Sequence, residues 1–270
     1  MRKTVTTLLL CLVCTVSTWA QYDLLSVKKN VVDDGYNFYV YTPLEYYYPQ
    51  EDTPLIIFLH GASLCGGNMK RALRYGCIDA IKKGLDIPAL VVTPHNPRGA
   101  WSPQKLNNIL EWMKKNYAFD STRVYVLGMS LGGYGTLDFA GTYPDKIAAA
   151  MALCGGSTLK DYTGLGELPL WIIHGTADRA VSVRESQKVV TGMQEQDITG
   201  RLRYDWLKGA SHGALARYFY MSKTYDWLFM HALTDPGRPV YKGITITQTE
   251  LQKAYGDIQR RLDEIELEDD

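Results

Sequence analysis

One stretch limits what this chain can fold into: Val124-Tyr125-Val126-Leu127-Gly128-Met129-Ser130-Leu131-Gly132-Gly133. Mostly apolar, β-prone residues run without a break into Gly-x-Ser-x-Gly, and a helix-compatible segment, Tyr134 to Ala140, follows at once. The order is strand, sharp turn, helix, with Ser130 at the apex. Such a turn needs small neighbours, because strand and helix must pass close to one another. The helix N-terminus then aims unpaired N–H groups and its positive dipole end at the space beside the serine, where a developing negative charge would be stabilised. Taken alone, the pattern also fits a Gly-rich turn with an incidental serine, so its meaning depends on the rest of the chain.

The rest of the chain repeats the same alternation. Pro54 to His60 is a continuous apolar run, the pattern of a strand buried on both faces of a parallel sheet, and it ends in His60-Gly61-Ala62-Ser63. Further strands are predicted at Ala89–Thr93, Ile147–Leu153, Leu170–Ile173 and Leu202–Leu207. Helices are predicted from Met69 to Gly84, from Pro103 to about Tyr117, and from Ser182 to about Gln196, the last with Glu185 completing a capping box. Two more strands, Leu24–Lys29 and Tyr36–Tyr41, flank the turn Asp33-Asp34-Gly35. Strands alternating with helices through right-handed crossovers predict an α/β fold, a doubly wound and mainly parallel sheet in a single domain.

The ends of the chain read differently. Residues 1–20 combine Arg2 and Lys3 with a short apolar run and a small residue before Gln21, the pattern of a secretory signal peptide. The run is too short to span a membrane, so an exported, periplasmic or secreted, protein is expected. The organisation is then 1–20 signal peptide, 21–233 catalytic domain, 234–246 linker with Pro236, Gly237 and Pro239, and 247–270 C-terminal helix. That helix should start at the capping box Thr247-Gln248-Thr249-Glu250 and carry Leu251, Tyr255, Ile258, Leu262 and Ile265 on one stripe. The stripe must be buried, either on its own domain or against a second copy in a homodimer. Equal numbers of basic and acidic residues, 29 each, argue against nucleic acid as a partner. Beyond residue 20 three cysteines remain, Cys65, Cys77 and Cys154. Export would permit a Cys65–Cys77 bridge, which spacing alone does not establish.

A serine hydroxyl needs a base in hydrogen-bond reach, and the base needs an orienting acid. Asp178, in His174-Gly175-Thr176-Ala177-Asp178, and His212, in Ser211-His212-Gly213, each lie just beyond a predicted strand. Three loops at one sheet edge can converge, so Ser130, Asp178 and His212 form a candidate triad in the order serine, acid, histidine. The amides of Leu131 and of Ala62 or Ser63 are the candidate oxyanion hole. Trp101 and His95, on the loop after the strand ending at Thr93, and Tyr134, in the first turn after the serine, are the candidate substrate-binding residues. A tryptophan there could instead anchor its loop in the core. His60 and His174 are read as holding neighbouring loops by hydrogen bonds. No histidine or cysteine pair has metal-ligand spacing, so no metal is expected, and Gly67-Asn68-Met69 lacks the lysine of a phosphate-binding loop.

On Leu59-His60-Gly61, Gly128 to Gly133, His174 to Asp178 and Ser211-His212-Gly213, the chain resembles the α/β-hydrolase superfamily. The resemblance is to the branch that holds carboxylesterases, polyester depolymerases and feruloyl or acetylxylan esterases, and it runs from about Tyr36 to His231. It implies a cofactor-free acyl-enzyme mechanism on a small-molecule or polysaccharide-linked ester. Ala62-Ser63 stand where many lipases of the superfamily have Gly-Gly, and the short segment between Gly155 and Leu170 leaves no room for a large lid. Two alternatives stay open on this fold, a serine peptidase of the prolyl-oligopeptidase type and a non-catalytic binding module.

Overall fold

The computed structural model describes residues 25–43, 53–256 and 258. The signal-peptide segment 1–20, the aromatic run Tyr46–Tyr48, and Leu262 and Ile265 lie outside the described residues. Eight strands are formed: β1 Leu25–Lys28, β2 Asn37–Tyr41, β3 Leu55–Leu59, β4 Leu90–His95, β5 Val124–Met129, β6 Ala149–Leu153, β7 Leu170–Gly175 and β8 Leu202–Leu207. They make one sheet in the order β1-β2-β4-β3-β5-β6-β7-β8. The β1–β2 and β2–β4 pairs are antiparallel, and every other pair is parallel. The helices are α1 Cys77–Lys82, α2 Pro103–Asn116, α3 Leu131–Thr142, α4 Val183–Glu195 and α5 Ser222–Phe229.

The unbroken apolar runs follow from burial on both sheet faces. In β3, Leu55, Ile57 and Leu59 join one core with α2, α3 and α4, while Ile56 and Phe58 join the other with α1 and α5. The helix expected from Met69 to Gly84 is split into a 3₁₀ turn, Met69–Leu73, and α1. The break is at Gly76, whose φ of +99° suits glycine and where a side chain would strike the Phe58 ring. Beyond His212 a 3₁₀ run, His212–Tyr220, precedes α5. At α4, Ser182 caps through its side chain to the Arg184 N–H, but Glu185 faces Tyr134 and Lys188 instead of closing the box.

The expected linker, 234–246, is instead strapped to the domain. Arg238 donates to the carbonyls of Pro144 and Ile147, Arg203 to that of Ile244 at 2.6 Å, and the Trp227 indole to that of Tyr241 at 2.9 Å. Val240 is buried, and Ile244 and Ile246 pack on the core. The capping box at its end is reciprocal: Thr247 N–H donates to Glu250 Oε2 at 2.8 Å, and Glu250 N–H to Thr247 Oγ1 at 3.2 Å. The helix that follows, over 248–256, buries Leu251 and Ala254, and Ile258 beyond it is buried too. Tyr255 stays largely exposed, its ring 4.5 Å from that of Tyr220. The described part of the stripe, Leu251 and Ile258, thus packs against the core of its own chain. Cys65 and Cys77 are both free thiols. No helix among the described residues is long and apolar enough to cross a membrane.

Truncation after Ile246 should lower unfolding free energy by about 4 kcal/mol, the burial of Leu251 and Ile258 being roughly 1.5–3 kcal/mol each. The urea midpoint measures it, and an unchanged midpoint would contradict the docked tail.

Candidate active site

Ser130 is the single residue joining β5 to α3. Its backbone sits at φ 61°, ψ −122°, a conformation that side-chain-bearing residues adopt only under strong constraint. The constraint is visible on both sides. Ser130 N–H donates to the Leu153 carbonyl at 2.9 Å, and Ser130 carbonyl accepts from Tyr134 N–H at 3.0 Å. A methyl group at Gly132 would overlap the Leu59 carbonyl oxygen, and one at Gly128 would lie 2.5 Å from the Gly132 carbonyl oxygen. The strained turn thus exists because the helix backbone is pressed against the ends of two strands.

Asp178 sits in the turn after β7. Its Oδ1 accepts from the N–H groups of Ala180 and Val181 at 2.8 and 2.9 Å, and its Oδ2 faces His212 Nδ1 at 2.7 Å. Burial alone would raise the Asp178 pKa, but these N–H groups and the His212 ring outweigh it and hold the carboxyl below its ordinary value. An ionised carboxylate at Nδ1 places the imidazole proton there and leaves Nε2 as the acceptor. Sequence reasoning put these two residues at neighbouring loops, and the structure joins them by a hydrogen bond.

Two further side chains crowd the pair. His174 Nε2 lies 3.4 Å from Asp178 Oδ2, and the ring also contacts the Val181 carbonyl at 3.0 Å and the Ser186 hydroxyl at 2.7 Å. Cys154, directly after β6 and at φ 39°, is buried with Sγ so placed that it, Asp178 and His212 have donor atoms within 4.8 Å of one another. Burial, reinforced by the Asp178 carboxylate, pushes this thiol well above its ordinary range, so it stays protonated. A protonated thiol and a histidine already bonded to its acid are a poor donor set for a metal ion.

The facing loop runs from Gly61 through the 3₁₀ turn Ala62–Leu64. The amides of Ala62, Ser63 and Leu131 make no hydrogen bond among the described residues. The loop is held from behind. Gly61 N–H donates to the Tyr75 hydroxyl at 2.6 Å, and Arg71 Nη2 donates to the Ser63 carbonyl at 2.5 Å. His60 Nε2 accepts from Asn96 N–H at 3.1 Å, so Nδ1 carries the proton toward the Gly61 carbonyl at 2.9 Å. Burial drives His60 down to a pKa of about 4.

The candidate substrate-binding residues separate. Trp101 is only 3% exposed, its indole edge-on to Tyr36 and His60 with centroids 5.1 and 5.0 Å away, and its Nε1 donates to the His60 carbonyl at 3.2 Å. It fills the notch left by Gly135, where a methyl group would lie 2.6 Å from the indole. Trp101 therefore anchors its loop in the core and does not face a cleft. His95 borders a cleft of about 1140 Å³. Tyr134 is half-buried, its hydroxyl 3.3 Å from Glu185 Oε2, on the side toward α4. Sequence reasoning missed Tyr75 and Cys154. No motif marks them, since their partners come from other strands.

No protein-family model matches the chain. Among curated proteins, it is 25% identical over 170 residues to a bifunctional acetylxylan esterase/xylanase of Neocallimastix patriciarum, a match covering 60% of this chain and 24% of that protein. The chain therefore spans about a quarter of the length of that relative. Among solved structures, a thermostable esterase superposes with TM-score 0.63 at 22% identity, covering 79% of this chain and 64% of that one. The feruloyl esterase module from Clostridium thermocellum, complexed with sinapinate, gives 0.56 at 18% identity over 74% of this chain and 87% of the module. The chain has the α/β-hydrolase fold, and its relatives and structural neighbours include acetylxylan and feruloyl esterases.

Trp101→Ala should destabilise the fold by about 3–5 kcal/mol, the usual cost of emptying a buried aromatic site, while the ratio of aryl to acetyl ester turnover stays constant. A changed ratio with unchanged stability would return Trp101 to the cleft. A second expectation concerns pH. His60 titrates at about 4 when folded and near 6.5 when unfolded. The unfolded state therefore binds the extra proton between those values. The stability contributed by neutral His60 is complete above pH 6.5 and is lost as pH falls toward 4. Urea midpoints at pH 7 and 4.5 should differ less for His60→Gln than for the parent chain, and equal differences would contradict this.

Proposed function

We propose that this protein is a serine esterase that cleaves carboxylic esters through an acyl-enzyme intermediate. The observation that carries this reading is the 2.7 Å bond from His212 to an ionised Asp178, at the same sheet edge as the strained Ser130 turn. In the first step Ser130 Oγ attacks the ester carbonyl while its proton passes to His212 Nε2. Asp178 stabilises the imidazolium through Nδ1–H. The tetrahedral oxyanion is received by the N–H of Leu131 and by that of Ala62 or Ser63. Collapse expels the alcohol, which takes the proton from Nε2. Water then repeats the sequence on the acyl group and frees Ser130. Ionised Asp178 and protonated Cys154 divide the labour beneath His212: one orients and balances charge, the other fills space without competing for the proton.

The substrate reading is an acetyl or feruloyl ester on plant polysaccharide. Its support is the similarity to an acetylxylan esterase and the short cover over the site. Between β6 and β7 the only helical element described is the 3₁₀ turn Thr163–Glu167, so a bulky ester can approach. Residues 1–20 would direct export to where such polymers are found.

Ser130→Ala should lose fluorophosphonate labelling and about 10⁶ in kcat, with the melting temperature retained. Asp178→Asn should lose most turnover by inverting the His212 tautomer. Acetylated xylan, a methyl ferulate ester and a peptide anilide, assayed side by side, test the substrate class. Faster cleavage of the anilide than of both esters would replace the esterase reading with a peptidase, and Ser130→Ala activity above a tenth of the parent would remove the mechanism.

A further inference from the structure

The cleft of about 1140 Å³ that His95 borders is not lined by Ser130. It lies farther along the same sheet edge. His95 closes β4, which is separated from β5 by β3, so the cleft begins about 10 Å from the serine at about 4.8 Å per strand. The antiparallel pairing extends it outward. Asn37 opens β2 opposite His95, and Lys29 follows the β1 residue that pairs with Phe38. The loop after β3 forms the other wall and is tied to the loop after β4 by the Gly66 N–H to Pro97 carbonyl bond at 2.9 Å.

The lining carries one sign of charge. Lys29, Lys70, Arg98 and Lys105 all border the cleft, and among the described residues no aspartate or glutamate does. The chain as a whole has equal numbers of both signs, so this is local segregation. Lys105 is shared with Asp34 at 3.5 Å, just outside the lining, whereas Lys29, Lys70 and Arg98 make no ion pair among the described residues. The uncharged lining is built for hydroxyl groups. Asn37 and Asn68 commit their carbonyl oxygens to the N–H groups of Asn30 and Lys70, which leaves their NH₂ groups to donate. His95 adds an independent sign. It is only 7% exposed, yet its Nε2 has no hydrogen-bond partner and the residue borders the cleft. A buried ring nitrogen left unbonded is costly unless a ligand or water completes it.

We propose that this cleft is a subsite for an anionic saccharide, the continuation of a polymer whose ester group lies at Ser130. Its cations meet carboxylate or sulfate groups on the sugar chain, and His95 with the two asparagines meets its hydroxyls. The inference rests on the polysaccharide-esterase reading and narrows it, from neutral acylated chains to acidic ones. Field focusing by like charges along a cleft also makes capture depend on ionic strength.

The test separates binding from chemistry. Calorimetric Kd values for Ser130→Ala are compared for a neutral xylo-oligosaccharide, a uronate-bearing one and a sulfated one of equal length. The same ligands are then titrated into Ser130→Ala carrying Lys29→Gln, Lys70→Gln and Arg98→Gln. At least one anionic ligand should bind ten-fold or more tighter than the neutral one at low salt, and the advantage should vanish at high salt and in the quadruple variant. Whichever arm binds identifies carboxylate or sulfate as the anion. Equal affinities for all three ligands, or an anion preference that survives the lysine and arginine substitutions at unchanged melting temperature, would overturn the subsite. Independently, a parent enzyme that binds the anionic saccharide but leaves p-nitrophenyl acetate and acetylated xylan untouched would remove the esterase reading and keep the subsite.

Discussion

The first turn of α3 presses its backbone against the ends of β3 and β6, and the rest of the site depends on that contact. Gly132 meets the Leu59 carbonyl and Gly133 the Leu153 carbonyl, where even a methyl group would collide. The approach forces Ser130 into its positive φ, a strain of order 1–3 kcal/mol that the surrounding sheet sustains. It also decides what surrounds the serine. The residues after Leu59 become the facing loop, and the residue after Leu153 becomes the buried thiol beside Asp178. One close backbone contact therefore gathers three strands' worth of functional groups.

Burial acts on several titratable groups at this edge, and its effect differs by partner. His60, His95 and His174 are all pushed toward the neutral form, and the hydroxyl of Tyr75 and the thiol of Cys154 toward the protonated form. Asp178 alone resists, because two backbone N–H groups and an imidazole repay its desolvation. The result is a carboxylate held ionised among groups that burial keeps neutral, with its Oδ2 2.7 Å from His212 Nδ1. Farther along, beyond His95, the sign reverses to the cations that border the cleft.

Much of this was readable from the chain because it is written in local pattern. The apolar runs reflect strands buried on both faces, and Gly-x-Ser-x-Gly records the close approach itself. Asp178 and His212, which the structure joins by a hydrogen bond, could be paired from the sequence because loops at strand ends share an edge by topology. What failed to read was orientation. The turn-forming residues around Trp101 show a loop, but only the empty notch at Gly135, on another element, turns the indole inward. Pro236, Gly237 and Pro239 look like a linker, yet the carbonyls that Arg238 satisfies, those of Pro144 and Ile147, lie in the connection between α3 and β6. Tyr75 is invisible for the same reason: its role is a bond to Gly61 across a loop, with no spacing to betray it.

The strap and tail have a consequence for the order in which the molecule is completed. The core that packs Trp171 of β7 against Tyr225 of α5 is completed by Val240, Leu251, Ala254 and Ile258, all of which follow His212 in the chain. Gln248 reaches back to the Lys208 carbonyl and Arg217 to that of Gln252, so the segment carrying His212 receives its outer support from these late residues. A nascent chain holding all three catalytic candidates would still present an open apolar groove. Premature termination shortly before Thr247 would accordingly yield a product that is chemically furnished but sticky, a substrate for chaperones and proteases before it is a catalyst.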